Sequence, residues 1–120
     1  MNAQKILIVD DEEMVRESIM FSLLGYCEDL EIMTASDGQE GKELYLQEKP
    51  TLIILDLRMP VMDGLEFLEQ IKITPSDPTA VIVLTGHGGD EEIKRCFEMG
   101  ISSFLNKPFN VYELRGLVRH

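Results

Sequence analysis

The sequence predicts an α/β domain, a single five-stranded parallel sheet with helices on both faces. Three observations predict it. The runs Lys5-Ile6-Leu7-Ile8-Val9, Leu52-Ile53-Ile54-Leu55 and Ala80-Val81-Ile82-Val83-Leu84 are almost unbroken apolar stretches, the pattern of strands buried on both faces. The segments between them repeat apolar residues at helical spacing, so strand and helix patterns alternate as in βαβ units. Each of the three runs is followed at once by a polar side chain: Asp10, Asp56 and Thr85.

The elements follow in order. The run 5–9 is the first strand and ends on Asp10-Asp11-Glu12-Glu13. Residues 14–24 read as a helix, with Val15, Ile19 and Leu23 on one face and Gly25 as its stop. Residues 24–30 form an acidic connection to a short strand at 31–35, weak enough to lie at a sheet edge. Asp37 caps the second helix, with Glu40 as capping-box partner. That helix runs to about Gln47 and turns Gly41, Leu44 and Tyr45 toward the sheet.

Residues 51–56 are the central strand, and Pro60 prevents its continuation because it has no N–H to donate. Asp63 caps the third helix, whose inner face is Gly64, Phe67, Leu68 and Ile71. Residues 74–79 hold Pro75 and Pro78 and read as a loop. After the strand 80–84, the loop Gly86-His87-Gly88-Gly89 leads to a helix capped by Asp90, with Ile93, Cys96, Phe97 and Gly100 inward. Residues 102–105 are a last short strand ending at Asn106-Lys107-Pro108. The final helix starts near Asn110 and buries Val111, Leu114, Leu117 and Val118.

The chain has 120 residues and reads as one domain spanning 1–120, long enough to bury roughly two-thirds of its unfolded surface. Twenty-two acidic residues against 11 basic ones give a net charge of −11. That balance disfavours direct nucleic-acid binding or an anionic membrane surface, since both need clustered Lys and Arg. No apolar run approaches the ~20 residues of a membrane span. Cys27 and Cys96 are far apart, match no metal-ligand spacing, and read as free thiols of a reducing, cytoplasmic compartment. Met59, Met62 and Met99 read as packing residues.

Right-handed crossovers bring every strand-to-helix loop to one edge of such a sheet. The flavodoxin-like order 2-1-3-4-5 is the commonest arrangement at this length, and ligands bind at the carboxyl ends of its strands. Asp10 and Asp11 arrive there from strand one, Asp56 from strand three, Thr85 from strand four and Lys107 from strand five. Clustered carboxylates repel one another and need a cation or protons. Mg2+ meets that need, because it takes one or two carboxylates, waters and phosphate oxygens. An ion, an ammonium and a hydroxyl are also what holds the oxygens of a phosphoryl group. The acid facing them can then act as nucleophile.

The segments KILIVDDEE, LIILDLRMPVMDG, VIVLTGHGG and SSFLNKPF resemble, in order and spacing, the receiver domain of two-component response regulators. The resemblance covers essentially the whole chain. It implies that Asp56 accepts a phosphoryl group from a sensor histidine kinase or phosphotransfer protein, and that Asp10, Asp11, Asp56 and the Arg58 backbone carbonyl hold Mg2+. It implies that Thr85 is the switch hydroxyl, Lys107 the phosphate-binding lysine and Phe104 the switch aromatic. The face of helix four, strand five and helix five then drives an output domain or protein, or pairs with a second phosphorylated copy. Arg58 and His87 occupy the positions that tune phosphoryl lifetime. The Lys107-Pro108 bond is expected to be cis. On this reading the domain catalyses only its own phosphorylation and dephosphorylation.

Other uses of the topology fit less well. A haloacid-dehalogenase-type phosphatase needs a second Asp two residues after the nucleophile, where this chain has Arg58. A flavin mononucleotide site needs a Ser/Thr/Gly-rich phosphate loop after strand one, and Asp10-Asp11-Glu12-Glu13 would repel a phosphate. A receiver that is never phosphorylated would have lost some of these residues, and all are present.

Overall fold

The computed structural model describes residues 4–25, 29–74, 76–86 and 89–118. Ten elements alternate: β1 (Gln4–Val9), α1 (Glu13–Leu23), β2 (Leu30–Ala35), α2 (Gly38–Glu48), β3 (Leu52–Asp56), α3 (Gly64–Ile71), β4 (Ala80–Thr85), α4 (Asp90–Glu98), β5 (Ser103–Asn106) and α5 (Val111–Val118). The sheet is parallel throughout, in the order β2-β1-β3-β4-β5.

The unbroken apolar runs have a simple cause. Successive side chains of a strand point to opposite faces, and both faces are covered here. Leu7, Val9, Ile53, Leu55, Val81 and Val83 form one core with Phe67, Leu68 and Cys96 of α3 and α4. Ile6, Ile8, Ile54, Ile82 and Leu84 form the other with Ile19, Leu23, Leu114 and Val118 of α1 and α5. Gly41 brings α2 close to the sheet, where a Cβ would lie 3.0 Å from Val9. Met62 is buried, and Met59 and Met99 pack against the same core.

Several boundaries differ from the sequence reading. Asp37 caps α2 through the Glu40 N–H, but the Glu40 carboxylate accepts from the Ser36 hydroxyl at 3.4 Å. The complete capping box is instead at α3, between Asp63 and Glu66. The N-cap of α4 is Gly89, without a side-chain bond, and Asp90 is its first helical residue. Asp90 therefore acts on the helix dipole rather than as a cap. The helix ends at Glu98, so Gly100 lies beyond it, and Phe97 is exposed rather than inward. The last strand begins one residue later than its apolar pattern indicated. The Lys107-Pro108 peptide is cis.

Cys96 is fully buried and unpaired; Cys27 lies outside the described residues. Burial pushes the Cys96 thiol up to about 11, the Glu92 charge adds to it, and Arg95 partly offsets it. Because the folded state raises this pKa, its stabilising contribution holds below the ordinary thiol range and is lost as pH rises through about 11. In a Cys27→Ser protein, Cys96 is expected to resist a disulfide reagent at pH ~8 until the chain is unfolded. Native-state labelling at the rate of a free thiol would contradict this.

Candidate functional site

The site is built where four strands end. Asp10 follows β1 directly, and its N–H donates to the Ala35 carbonyl of β2 at 3.1 Å, extending the sheet by one residue. Its side chain is fully buried. One carboxylate oxygen accepts the Glu12 N–H at 2.9 Å and the other meets Lys107 Nζ at 3.1 Å. The Asp10 carbonyl accepts from the Arg16 guanidinium at 2.7 Å. Asp11 is exposed at the mouth of the site.

Asp56 is the last residue of β3 and only 4% exposed. Its Oδ1 accepts the Arg58 N–H at 3.3 Å and lies 3.3 Å from Lys107 Nζ. Burial raises the Asp56 carboxyl above its ordinary range, and the nearby Asp10 charge raises it further; Lys107 and the Arg58 N–H act in the opposite direction. For Lys107, burial alone favours the neutral amine. Asp10 and Asp56 outweigh that and hold the ammonium above its usual range. One cation therefore bridges two buried acids.

The loop after Asp56 is held at two points. The Gly38 N–H donates to the Met62 carbonyl at 3.1 Å, and the Gly64 N–H to the Leu57 carbonyl at 3.1 Å. Thr85 ends β4 and is buried. It pairs with Asn106, and its carbonyl accepts the Lys107 N–H at 2.7 Å, so the two strand ends are locked together. Carboxylate oxygens of Asp10, Asp11 and Asp56 lie within 4.8 Å of one another. Three hard oxygen donors gathered this closely fit a small divalent cation such as Mg2+.

All the acidic positions, Thr85 and Lys107 thus meet at the carboxyl edge of the sheet. The Arg58 side chain lies outside, paired with Glu92 of α4 at 3.3 Å. Phe104 is partly exposed and stands edge-to-face with Phe97, centroids 6.1 Å apart. His87 lies outside the described residues. The sequence reading passed over Arg16 and Glu92. Arg16 carried a signal, as the sole basic residue between positions 10 and 24; Glu92 carried none.

Comparison with known proteins is consistent across sequence and structure. The family model described as response regulator receiver domain matches residues 6–119. The chain is 37% identical over 117 residues to response regulator MprA of Mycolicibacterium vanbaalenii, covering 96% of this chain and 48% of that protein. It is 32% identical over 118 residues to sporulation initiation phosphotransferase F of Bacillus subtilis, covering 97% and 91%. Chemotaxis protein CheY4 of Vibrio cholerae superposes with a TM-score of 0.85 at 28% identity, covering 98% and 97%. The chain spans about half the length of several regulators it matches. Among the described residues, no helix is long and apolar enough to cross a membrane.

Proposed function

This chain belongs to the response regulator receiver domain family of two-component signalling, and on that premise we propose that it is a phosphoacceptor switch with Asp56 as the acceptor. The observation that carries this reading is the placement of a buried carboxylate 3.3 Å from an ammonium, beside two further acids, at an open sheet edge. One Asp56 oxygen attacks the phosphorus of a phosphohistidine on a sensor kinase or phosphotransfer protein. The P–N bond breaks, its electron pair returns to the imidazole, and an acyl phosphate remains on Asp56. Lys107 takes up charge on the phosphoryl oxygens, as a preorganised cation does in such transfers.

Asp10, Asp11 and Asp56, with the Arg58 carbonyl, would hold Mg2+. When bound, that ion neutralises charge on the transferring group. Thr85 supplies a hydroxyl to the phosphoryl group, and Phe104 leaves its place beside Phe97 as the α4–β5–α5 face repacks. That face addresses an output domain or protein, or a second phosphorylated copy. Arg58 and His87 tune how long the phosphoryl group survives before hydrolysis resets the switch. The domain catalyses only these two steps on itself and works in the cytoplasm.

A small phosphodonor with Mg2+ tests the reading by intact mass. The expected result is a single phosphoryl increment that hydroxylamine removes and a chelator prevents. Absence of labelling from both the small donor and a phosphohistidine protein would overturn it. Mg2+ alone, at ten times its dissociation constant, is expected to raise the thermal midpoint by roughly 5 °C. The rise should nearly vanish in Asp10→Asn, and a rise of equal size there would place the ion elsewhere.

A further inference from the structure

Arg58 touches the acceptor with its backbone and α4 with its side chain. Its N–H donates to Asp56 Oδ1 at 3.3 Å, while its guanidinium pairs with Glu92 Oε1 at 3.3 Å. Glu92 sits in the first turn of α4, a helix whose only fully buried residue is Cys96. With so little packing, ion pairs weigh more in fixing its position. A second pair, Arg95 to Glu69 of α3 at 2.9 Å, holds the last turn and does not involve the acceptor loop. A phosphoryl group on Asp56 would bring about −1.5 to −2 charges two residues from Arg58, whose guanidinium is held by one carboxylate. Guanidinium also matches phosphate geometry bidentately.

We infer that Glu92 is a positioning residue: through Arg58 it ties the first turn of α4 to the acceptor loop, and phosphoryl charge on Asp56 draws Arg58 off and frees that turn. The release step rests on the acceptor reading above; the tie does not. An exposed pair of this kind is weak, so its loss should change amide exchange only about two- to fivefold.

The test is native-state hydrogen exchange of the α4 amides. In the unphosphorylated protein, Glu92→Gln should speed exchange two- to fivefold, and the charge swap Arg58→Glu with Glu92→Arg should restore the wild-type rate. Unchanged exchange in Glu92→Gln, or a swap that restores nothing, overturns the tie. Phosphorylation should speed α4 exchange more in the wild type than in Glu92→Gln, by a similar two- to fivefold margin. Glu69→Gln should loosen the helix yet keep the response to phosphorylation; loss of the response there would deny Arg58 its special role. Phosphoryl mass is read on the same samples. An unlabelled wild type overturns the acceptor reading and the release with it, whereas a labelled wild type whose α4 exchange rises no more than that of Glu92→Gln overturns the release alone.

Discussion

Asp56→Asn is expected to abolish phosphoryl labelling and, in the absence of Mg2+, to raise the thermal midpoint. The first effect follows from chemistry, because an amide has no anionic oxygen with which to attack phosphorus, while its carbonyl can still accept the Arg58 N–H. The second follows from the site's electrostatics. Folding raises the Asp56 pKa, chiefly by burial and next by the Asp10 charge. A group raised in this way contributes stability below its unfolded pKa and loses it as pH rises through the folded value. Above the folded value the wild type therefore carries the cost of an ionised, buried Asp56, and the Asn variant carries none. Lys107 has Asp10 as a second partner, at 3.1 Å. Each kcal/mol relieved is worth about 4 °C at this size. The difference in midpoint should narrow on acidification and close below pH ~3.9, the ordinary Asp value. Thermal scans at several pH values, with labelling in parallel, decide both points. Undiminished labelling would place the acceptor elsewhere, and a pH-independent gain would trace the stabilisation to packing rather than charge.

The sequence was most legible where one physical demand dominated. Strands covered on both faces must be apolar throughout, so β1, β3 and β4 stood out, and the polar residues that ended them marked the site. Asp10, Asp56, Thr85 and Lys107 could be assembled because parallel topology sends all strand ends to one edge. The edges of elements were harder to read. Asp90 looked like a cap since it precedes a periodic run, yet Gly89 takes that place without any side-chain bond. Phe97 fitted the helical period but turns outward, because Phe104 offers it a ring contact outside the core. Periodicity records spacing, whereas that contact depends on the position of β5. The Arg58–Glu92 pair was invisible for the same reason, joining residues 34 apart on exposed surfaces where composition is unconstrained.

Gly64→Ala is expected to impair the fold and the acceptor together. A Cβ at position 64 would lie 2.7 Å from the Asp56 carbonyl oxygen, 2.8 Å from Leu57 Cα and 2.9 Å from Leu57 Cδ2. Two of these atoms are backbone, so no flexible side chain can simply move aside. The helix is poorly able to retreat. Its start is fixed by the Asp63–Glu66 capping box, and Phe67 and Leu68 are buried in the core one turn later. The loop must yield instead, stretching the Gly64 N–H bond to the Leu57 carbonyl and displacing the peptide that carries Asp56. Overpacking of this kind costs about 1–3 kcal/mol, or roughly 4–12 °C in midpoint. A shift of even half an ångström in the nucleophile should slow phosphoryl acceptance at least about tenfold at temperatures where the variant is folded. Gly116→Ala makes the contrast, since nothing lies within 4 Å of its Cβ on the exposed side of the last turn of α5. There the same substitution should add about 0.5–1 kcal/mol through helix propensity and leave acceptance unchanged. A Gly64→Ala protein that lost stability but accepted phosphoryl groups at the wild-type rate would show that the acceptor's position does not depend on this loop contact.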